Sequence, residues 1–283
     1  MSRFANCVLV LVVASCWTAS VWAQAARKDC RYAAAPNSTV TLVNQFGRVT
    51  VKPVSGHQVT ISCSSASDKV EVDCSQVGSR IDVTTRFLQP PDEASGRVDY
   101  ELSIPPDVSV FIRNAEGPIR LEGVRGDIAL RSDTAPVEVR NVSDSHVHVL
   151  TIDGPITLEN VSGDHIEILS TGGDVHMTSV SGPKVTVSTT TGAISFIGDF
   201  HGGGEYAFTN HSGNIDVTLP AFASVDMDAR SFHGSVQNDF PLQQKVRAYR
   251  PPTGSSSFAG TSNLGFSSVV LRSFSGRIRV SKQ

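Results

Sequence analysis

The chain has 283 residues, with 24 Lys and Arg against 27 Asp and Glu and a formal net charge of −3. With no basic tract, nucleic-acid binding is disfavoured. A hydrophobic share of 40% over this length is enough for one large β domain.

Residues 1–25 read as a secretory signal peptide rather than as part of the fold. Arg3 supplies a positive start, Val8 to Val13 a short apolar core, and Val21-Trp22-Ala23 or Ala23-Gln24-Ala25 a small-residue cleavage pattern. That core is too short to span a membrane. Val13-Ala14-Ser15-Cys16 also resembles a bacterial lipobox, which would make Cys16 a lipidated first residue. The apolar run from Trp17, where a lipoprotein usually carries a polar tether, favours simple cleavage. Cleavage removes one base and no acids, leaving a net charge of about −4. The expected product is a single exported domain, residues 26–283, in the periplasm or at the cell surface, with no membrane span.

Three cysteines then remain: Cys30, Cys63 and Cys74. The segment VTISCSSASDKVEVDC reads as strand, polar turn, strand, so a Cys63–Cys74 disulfide across a hairpin is expected in an oxidising compartment. Three pairings are open to three cysteines, and buried free thiols are the alternative. No His lies at finger spacing, so a zinc site is not expected.

Residues 30–110 are expected to form an N-terminal cap and the first strands, since a stack of strands needs its open end covered. Residues 89–97 (QPPDEASGR) break the pattern, and the double Pro at 105–106 forces a bend. Residues 111–240 are regular. Phrases such as GDIALRSDT, GPITLENVS and GDVHMTSVS each place a small turn residue before strict apolar–polar alternation, the mark of a strand with one buried face.

The phrases come in two kinds. Ile128/Leu130, Val147/Val149, Ile166/Ile168 and Val185/Val187 recur every nineteen residues. Ile119/Leu121, Val137/Val139, Ile156/Leu158, Val175/Met177 and Ile194/Phe196 form the alternate series, and Val124, Val142, Val161 and Val180 a third column. An antiparallel meander would use the Gly-Asp pairs as hairpin turns, but it gives no reason for two alternating kinds of phrase. A coil does. The expected fold is therefore all-β, a stacked-strand β-solenoid (β-helix-like) with about two strands per nineteen-residue coil. About five such coils at ~4.8 Å make a body near 25 Å long. Outward positions (Arg120, Glu138, Thr157, His176 and Ser195 on one side; Ala129, His148, Glu167 and Thr186 on the other) are mixed, with no large apolar patch expected.

Residues 241–262, rich in Pro, Ser and Gly, are expected to be a loop. Residues 263–283 recover two strands, and Phe258, Phe266 and Phe274 gather where a C-terminal cap would close the stack.

The serial G-[DP]-I-x-L phrases, Tyr100-Glu-Leu-Ser-Ile-Pro-Pro-Asp-Val-Ser-Val, Ser212-Gly-Asn-Ile-Asp-Val-Thr-Leu-Pro, and Ala223-Ser-Val-Asp-Met-Asp-Ala followed by His233-Gly-Ser-Val resemble a bacterial exported family of unknown function labelled "putative adhesin". The resemblance covers about residues 40–281. It implies a β-solenoid envelope protein and brings no catalytic residues with it.

Asp127, His146, His165 and Lys184 stand nineteen residues apart and would stack on one face of a coil. Two imidazoles beside a carboxylate could hold a borderline metal such as zinc, with His148 on the same face; the plainer reading is an outward polar row. Asp127, Asp164 and Asp174, each after a Gly, could be a calcium row or the acids of a polysaccharide-cleaving β-helix. The dense Gly-Gly-x-Gly-x-Asp run that calcium repeats need is missing, and Asp after Gly is usually a turn former. Asn141 and Asn160 read as a corner ladder of side-chain amides. No nucleophile elbow, Walker loop or H-E-x-x-H appears.

No catalytic, cofactor-binding or metal-ligating residue is assigned. The expected function is a non-catalytic cell-envelope scaffold, adhesin-like, binding an envelope polymer or protein without a cofactor. The alternatives are a polysaccharide-active β-helix enzyme and an envelope-sensing signalling component.

Overall fold

The computed structural model describes residues 26–200, 203–244 and 256–283. The expected signal peptide with Cys16, and residues 245–255 of the expected loop, lie outside them. The described residues form strands and no α-helix, because their alternation has period two and their breaks are Gly, Ser, Asp and Pro.

The N-terminal strands are β1 (Ala26–Ala33), β2 (Thr39–Phe46), β3 (Val49–Pro53), β4 (Gln58–Ser65), β5 (Val70–Val77), β6 (Arg80–Phe87), β7 (Val98–Ile104) and β8 (Ser109–Glu116). The regular stretch holds β9 (Ile119–Glu122), β10 (Ile128–Ser132), β11 (Val137–Val142), β12 (His146–Thr151), β13 (Ile156–Ser162), β14 (His165–Ser170), β15 (Val175–Ser181), β16 (Lys184–Thr189), β17 (Ile194–Ile197), β18 (Glu205–Asn210) and β19 (Ile215–Leu219). The chain ends with β20 (Val225–Ser231), β21 (Val236–Asn238), β22 (Gln243–Gln244), β23 (Ser256–Thr261), β24 (Ser267–Ser273) and β25 (Ile278–Lys282).

Successive strands of the regular stretch alternate between two sheets. The first has 12 strands in the order β1-β4-β7-β3-β9-β11-β13-β15-β17-β19-β25-β21, and the second 13 in the order β22-β23-β20-β24-β18-β16-β14-β12-β10-β8-β2-β6-β5. Neighbours in the regular stretch are parallel, which rules out the meander and leaves a solenoid-like repeat. The inward side chains of both sheets meet in one apolar cluster. Ile128, Val147, Ile166 and Val185 pair in register as one buried column, and Val124, Val142, Val161 and Val180 are buried beside it.

The step of nineteen residues holds from β10 to β16 and from β11 to β17, but not beyond. Val110 pairs with Ile128 and Ile119 with Val137, a step of eighteen. Val185 pairs with Tyr206 and Ile194 with Ile215, a step of twenty-one. The longer coil is filled by an aromatic cluster in which Phe200 stands 4.5 Å from both Phe196 and Tyr206, centroid to centroid.

One corner is built for close stacking. Ser170 and Thr189, both buried, donate to the Gly173 and Gly192 carbonyls at 2.9 and 2.7 Å, and Asn210 reaches the Gly192 carbonyl at 2.9 Å. Gly154, Gly173, Gly192 and Gly213 succeed one another there, each with its missing Cβ aimed at the carbonyl of the coil below. At another corner Asn141 and Asn160 take left-handed φ values of 52° and 54°, and the Asn160 amide donates to the Asn141 side chain at 3.3 Å, the expected ladder.

The ends depart from the sequence reading in three ways. First, β24 and β25 do not cap the stack. They pair with β18 and β19 as an interior coil, and β20 to β23 lie outside them. Second, β23, within the stretch expected to be a loop, pairs antiparallel with β20. Third, the disulfide joins Cys74 to Cys30, with Cα atoms 6.7 Å apart, and leaves Cys63 a buried free thiol. The expected Cys63–Cys74 bond fails because β4 and β5 are consecutive but belong to different sheets. β5 pairs with β6, and β4 with β1 and β7, so the polar turn between them is a crossing and not a hairpin. The observed bond ties the edge strand of one sheet to the edge strand of the other.

Candidate functional site

At the N-terminal end of the first sheet, an open groove of about 840 Å³ crosses the outer face of β1, β4, β7, β3, β9 and β11. Alternation dictates its lining. Val51, Tyr100 and Leu121 point inward, so Lys52, Glu101, Arg120 and Glu122 point out into the groove. Register then sets Arg120 opposite Glu138, with Thr50 between Glu101 and Arg120. Lys52 meets Glu101 at 3.0 Å, Arg120 meets Glu138 at 3.1 Å, and Arg140 holds Glu138 and, at 3.3 Å, Glu159. The Asn141 amide donates to Glu122 at 3.0 Å.

Asp99, at the groove's edge, is partly buried. Burial pushes its carboxyl up, but hydrogen bonds from the Arg97 side chain and the Arg48 amide (2.8 Å) outweigh that and hold it below the usual carboxylate range. The acids in this groove are thus held beside cations or amide donors. Exposed ion pairs are individually worth about 0–1 kcal/mol, so a ligand can exchange them cheaply for its own donors and acceptors.

The histidine row on the second sheet is partly as expected. His146, His165 and Lys184 stand in register, and His146 Nδ1 lies 3.0 Å from Asp127. The stacked pair, however, is His148 on His165, with centroids 5.4 Å apart and planes 12° from parallel. His148 Nδ1 is 3.0 Å from Glu167. Potential ligand atoms of His148, His165 and Glu167 lie within 4.8 Å of one another. In nearly parallel rings the in-plane lone pairs run side by side and do not converge, so a shared metal requires one ring to turn. The glycine-linked acids serve separate local roles: Asp127 faces His146, and Asp174 accepts the Ala193 amide one coil on at 2.8 Å.

The second sheet also bears on the expectation of no large apolar patch. Val43, Phe111, Leu150 and Leu169 are each about two-fifths exposed on its outer face and line a shallow concavity of about 400 Å³ over β2, β8, β10, β12 and β14. Sequence reading missed both surfaces because each depends on β2 and β3 pairing with β8 and β9, about seventy residues on. No spacing within the repeat signals that return.

The Toastrack DUF4097 family model matches residues 42–281. No curated protein matches. Among solved structures, a "putative adhesin" from Bacteroides fragilis shares 8% identity over 90% of this chain and 97% of its own, with a TM-score of 0.46. One from Parabacteroides merdae shares 10% identity over 91% and 96%, with a TM-score of 0.39. A "putative cell adhesion protein" from Clostridium sporogenes shares 9% identity over 91% and 100%, with a TM-score of 0.27. At these scores the solved structures carry no weight; the family model spans most of the chain, and the protein belongs to the Toastrack DUF4097 family.

Proposed function

We propose that this protein is a non-catalytic cell-envelope scaffold, adhesin-like, that binds an extended envelope polymer along the charged groove of its first sheet. Residues 26–283 act as one exported, solenoid-like domain of about two strands per coil, in the periplasm or at the cell surface, and need no cofactor. The observation that carries this reading is the groove itself. Across six adjacent strands at the spacing of about 4.8 Å, cations and carboxylates are interspersed with the hydroxyls of Thr50, Ser62 and Ser64, and each acid is already engaged by a donor. Such a surface offers many weak, repeated hydrogen bonds to a hydroxyl- or amide-rich chain.

The enzyme reading has one observation in its favour, since Glu101, Glu122 and Glu138 share the groove with Lys52, Arg120 and Arg140. A co-sedimentation assay with isolated envelope polymer separates the two. Binding should survive chelation and single substitutions of Asp127, Asp164 or Asp174, and should fall roughly tenfold or more in the double variant Arg120→Glu/Arg140→Glu. Undiminished binding by that variant rejects the groove. Time-dependent release of sugar fragments, abolished by Glu101→Gln or Glu138→Gln, replaces the scaffold with an enzyme.

A further inference from the structure

The concavity on the second sheet carries an inference independent of the groove. Its floor is Ala129, whose strand neighbours in register are Phe111 on one side and His148 on the other. A small side chain between two rings leaves the hollow. One row along, Val43, Arg113, Arg131, Leu150 and Leu169 follow one another across five adjacent strands. Two arginines therefore stand directly opposite each other in the middle of an apolar row.

Like charges opposed on neighbouring strands are destabilising, and strand-face arginines elsewhere in this chain, such as Arg120, Arg140 and Arg272, sit against carboxylates. Arg113 and Arg131 form no ion pair with a described residue, and both are exposed. Guanidinium pairs grip carboxylate and phosphate oxygens well. A hollow of about 400 Å³ falls in the size range of small-molecule sites, roughly 300–1,000 Å³.

The geometry points to a binding site for a single-chain anionic amphiphile, its phosphate or carboxylate head between Arg113 and Arg131 and its hydrocarbon chain over Ala129 against Phe111, Leu150 and Leu169. The charge selects the head, and the apolar lining selects the chain.

Titration calorimetry with dodecyl phosphate, below the concentration at which it forms micelles, tests the site in the purified protein. Saturable one-to-one binding is expected, weakened roughly tenfold or more for the uncharged dodecyl maltoside and undetectable for inorganic phosphate. Arg113→Gln/Arg131→Gln should lose the preference for the charged head while keeping the thermal transition. Ala129→Phe should remove binding of both amphiphiles by filling the floor. No saturable binding overturns the proposal. So do equal affinity for inorganic phosphate, an unaffected arginine double variant, or binding to anionic lipid vesicles without binding to the monomeric amphiphile. If Ala129→Phe misfolds, the arginine pair and the head-group comparison still decide the outcome.

Discussion

Substituting Gly173 by Ala tests the close-stacked corner that sets the distance between coils. A Cβ on Gly173 would run into the carbonyl oxygen of Gly154 and lie 2.6 Å from its carbon. Gly173 does not have a left-handed φ, so the cost is contact and not conformation. The corner cannot yield by turning a side chain, because the obstacle is backbone. Relief requires the two coils to part locally, and two backbone bonds flank the point: Gly172 N–H to Ile152 O at 2.6 Å and Ile156 N–H to Asp174 O at 2.8 Å. Weakening both costs about 1–3 kcal/mol at 0.5–1.5 each, and residual overpacking about 1–3 more, for a total of about 2–6 kcal/mol. Urea unfolding should show a lower midpoint with an unchanged slope, the signature of lost stability without a changed unfolded state. Gly192→Ala, aimed at the Gly173 carbonyl, should cost about the same. A Gly173→Ala variant within about 0.5 kcal/mol of the parent, the scatter of surface substitutions, refutes the reasoning.

Val147→Asp places a charge at a fully buried position between Ile128 and Ile166 and should cost several kcal/mol, about 3 or more, whereas His148→Asp on the outer face should cost under about 1 kcal/mol; equal urea midpoints for the two would deny the two-faced strand. Peptide mapping without reduction should recover Cys30 joined to Cys74, and Cys74→Ser should lose about 2–4 kcal/mol through a link spanning 44 residues. Burial pushes the Cys63 thiol up, and burial also raises Tyr100, against the opposing hydrogen bond with Thr85 at 2.7 Å. The unfolded chain therefore gives up these protons first, so stability should hold below about pH 8.5 and decline as pH rises beyond it; midpoints flat from pH 8 to 10.5 would contradict this.

How much was legible in the sequence follows from where each contact lies along the chain. Between Ile128 and Phe196 the partner of every strand is two phrases away, so period and alternation together determine register, burial and the parallel sheets. The Asn141–Asn160 ladder was legible for the same reason. Cys63 and Cys74 were misjudged because a polar turn between two strands reads alike whether it reverses the chain within a sheet or carries it to the other sheet. The C-terminal coil was misplaced because nothing local says that Ser267–Ser273 will enter the stack ahead of Val225–Ser231. The histidine row shows a finer limit: register placed His146 beside His165, but rotamers set His165 against His148 instead.

Both candidate sites reach the N-terminal end of the stack. A strict nineteen-residue step repeats environments, which suits a core, whereas a binding surface needs neighbours that differ. The groove lies where the step breaks, at the N-terminal end, whereas the hollow runs from there into the strict repeat at β10, β12 and β14, and the two surfaces share one coil. β8 supplies Phe111 and Arg113 to the second sheet's hollow, and β9 supplies Arg120 and Glu122 to the first sheet's groove. Between them Gly117 packs on the Gly47 carbonyl, and the buried Asn114 amide donates to the Gly47 and Gly117 carbonyls at 2.8 and 2.7 Å. That corner fixes the seat of both strands at once. Disturbing it would blur groove and hollow together, whereas outward substitutions at Arg113, Arg131, Arg120 and Arg140 leave the seat intact. Loss of one binding activity without the other, after an outward change on the corresponding sheet, is therefore the pattern that two independent sites on one rigid coil must show.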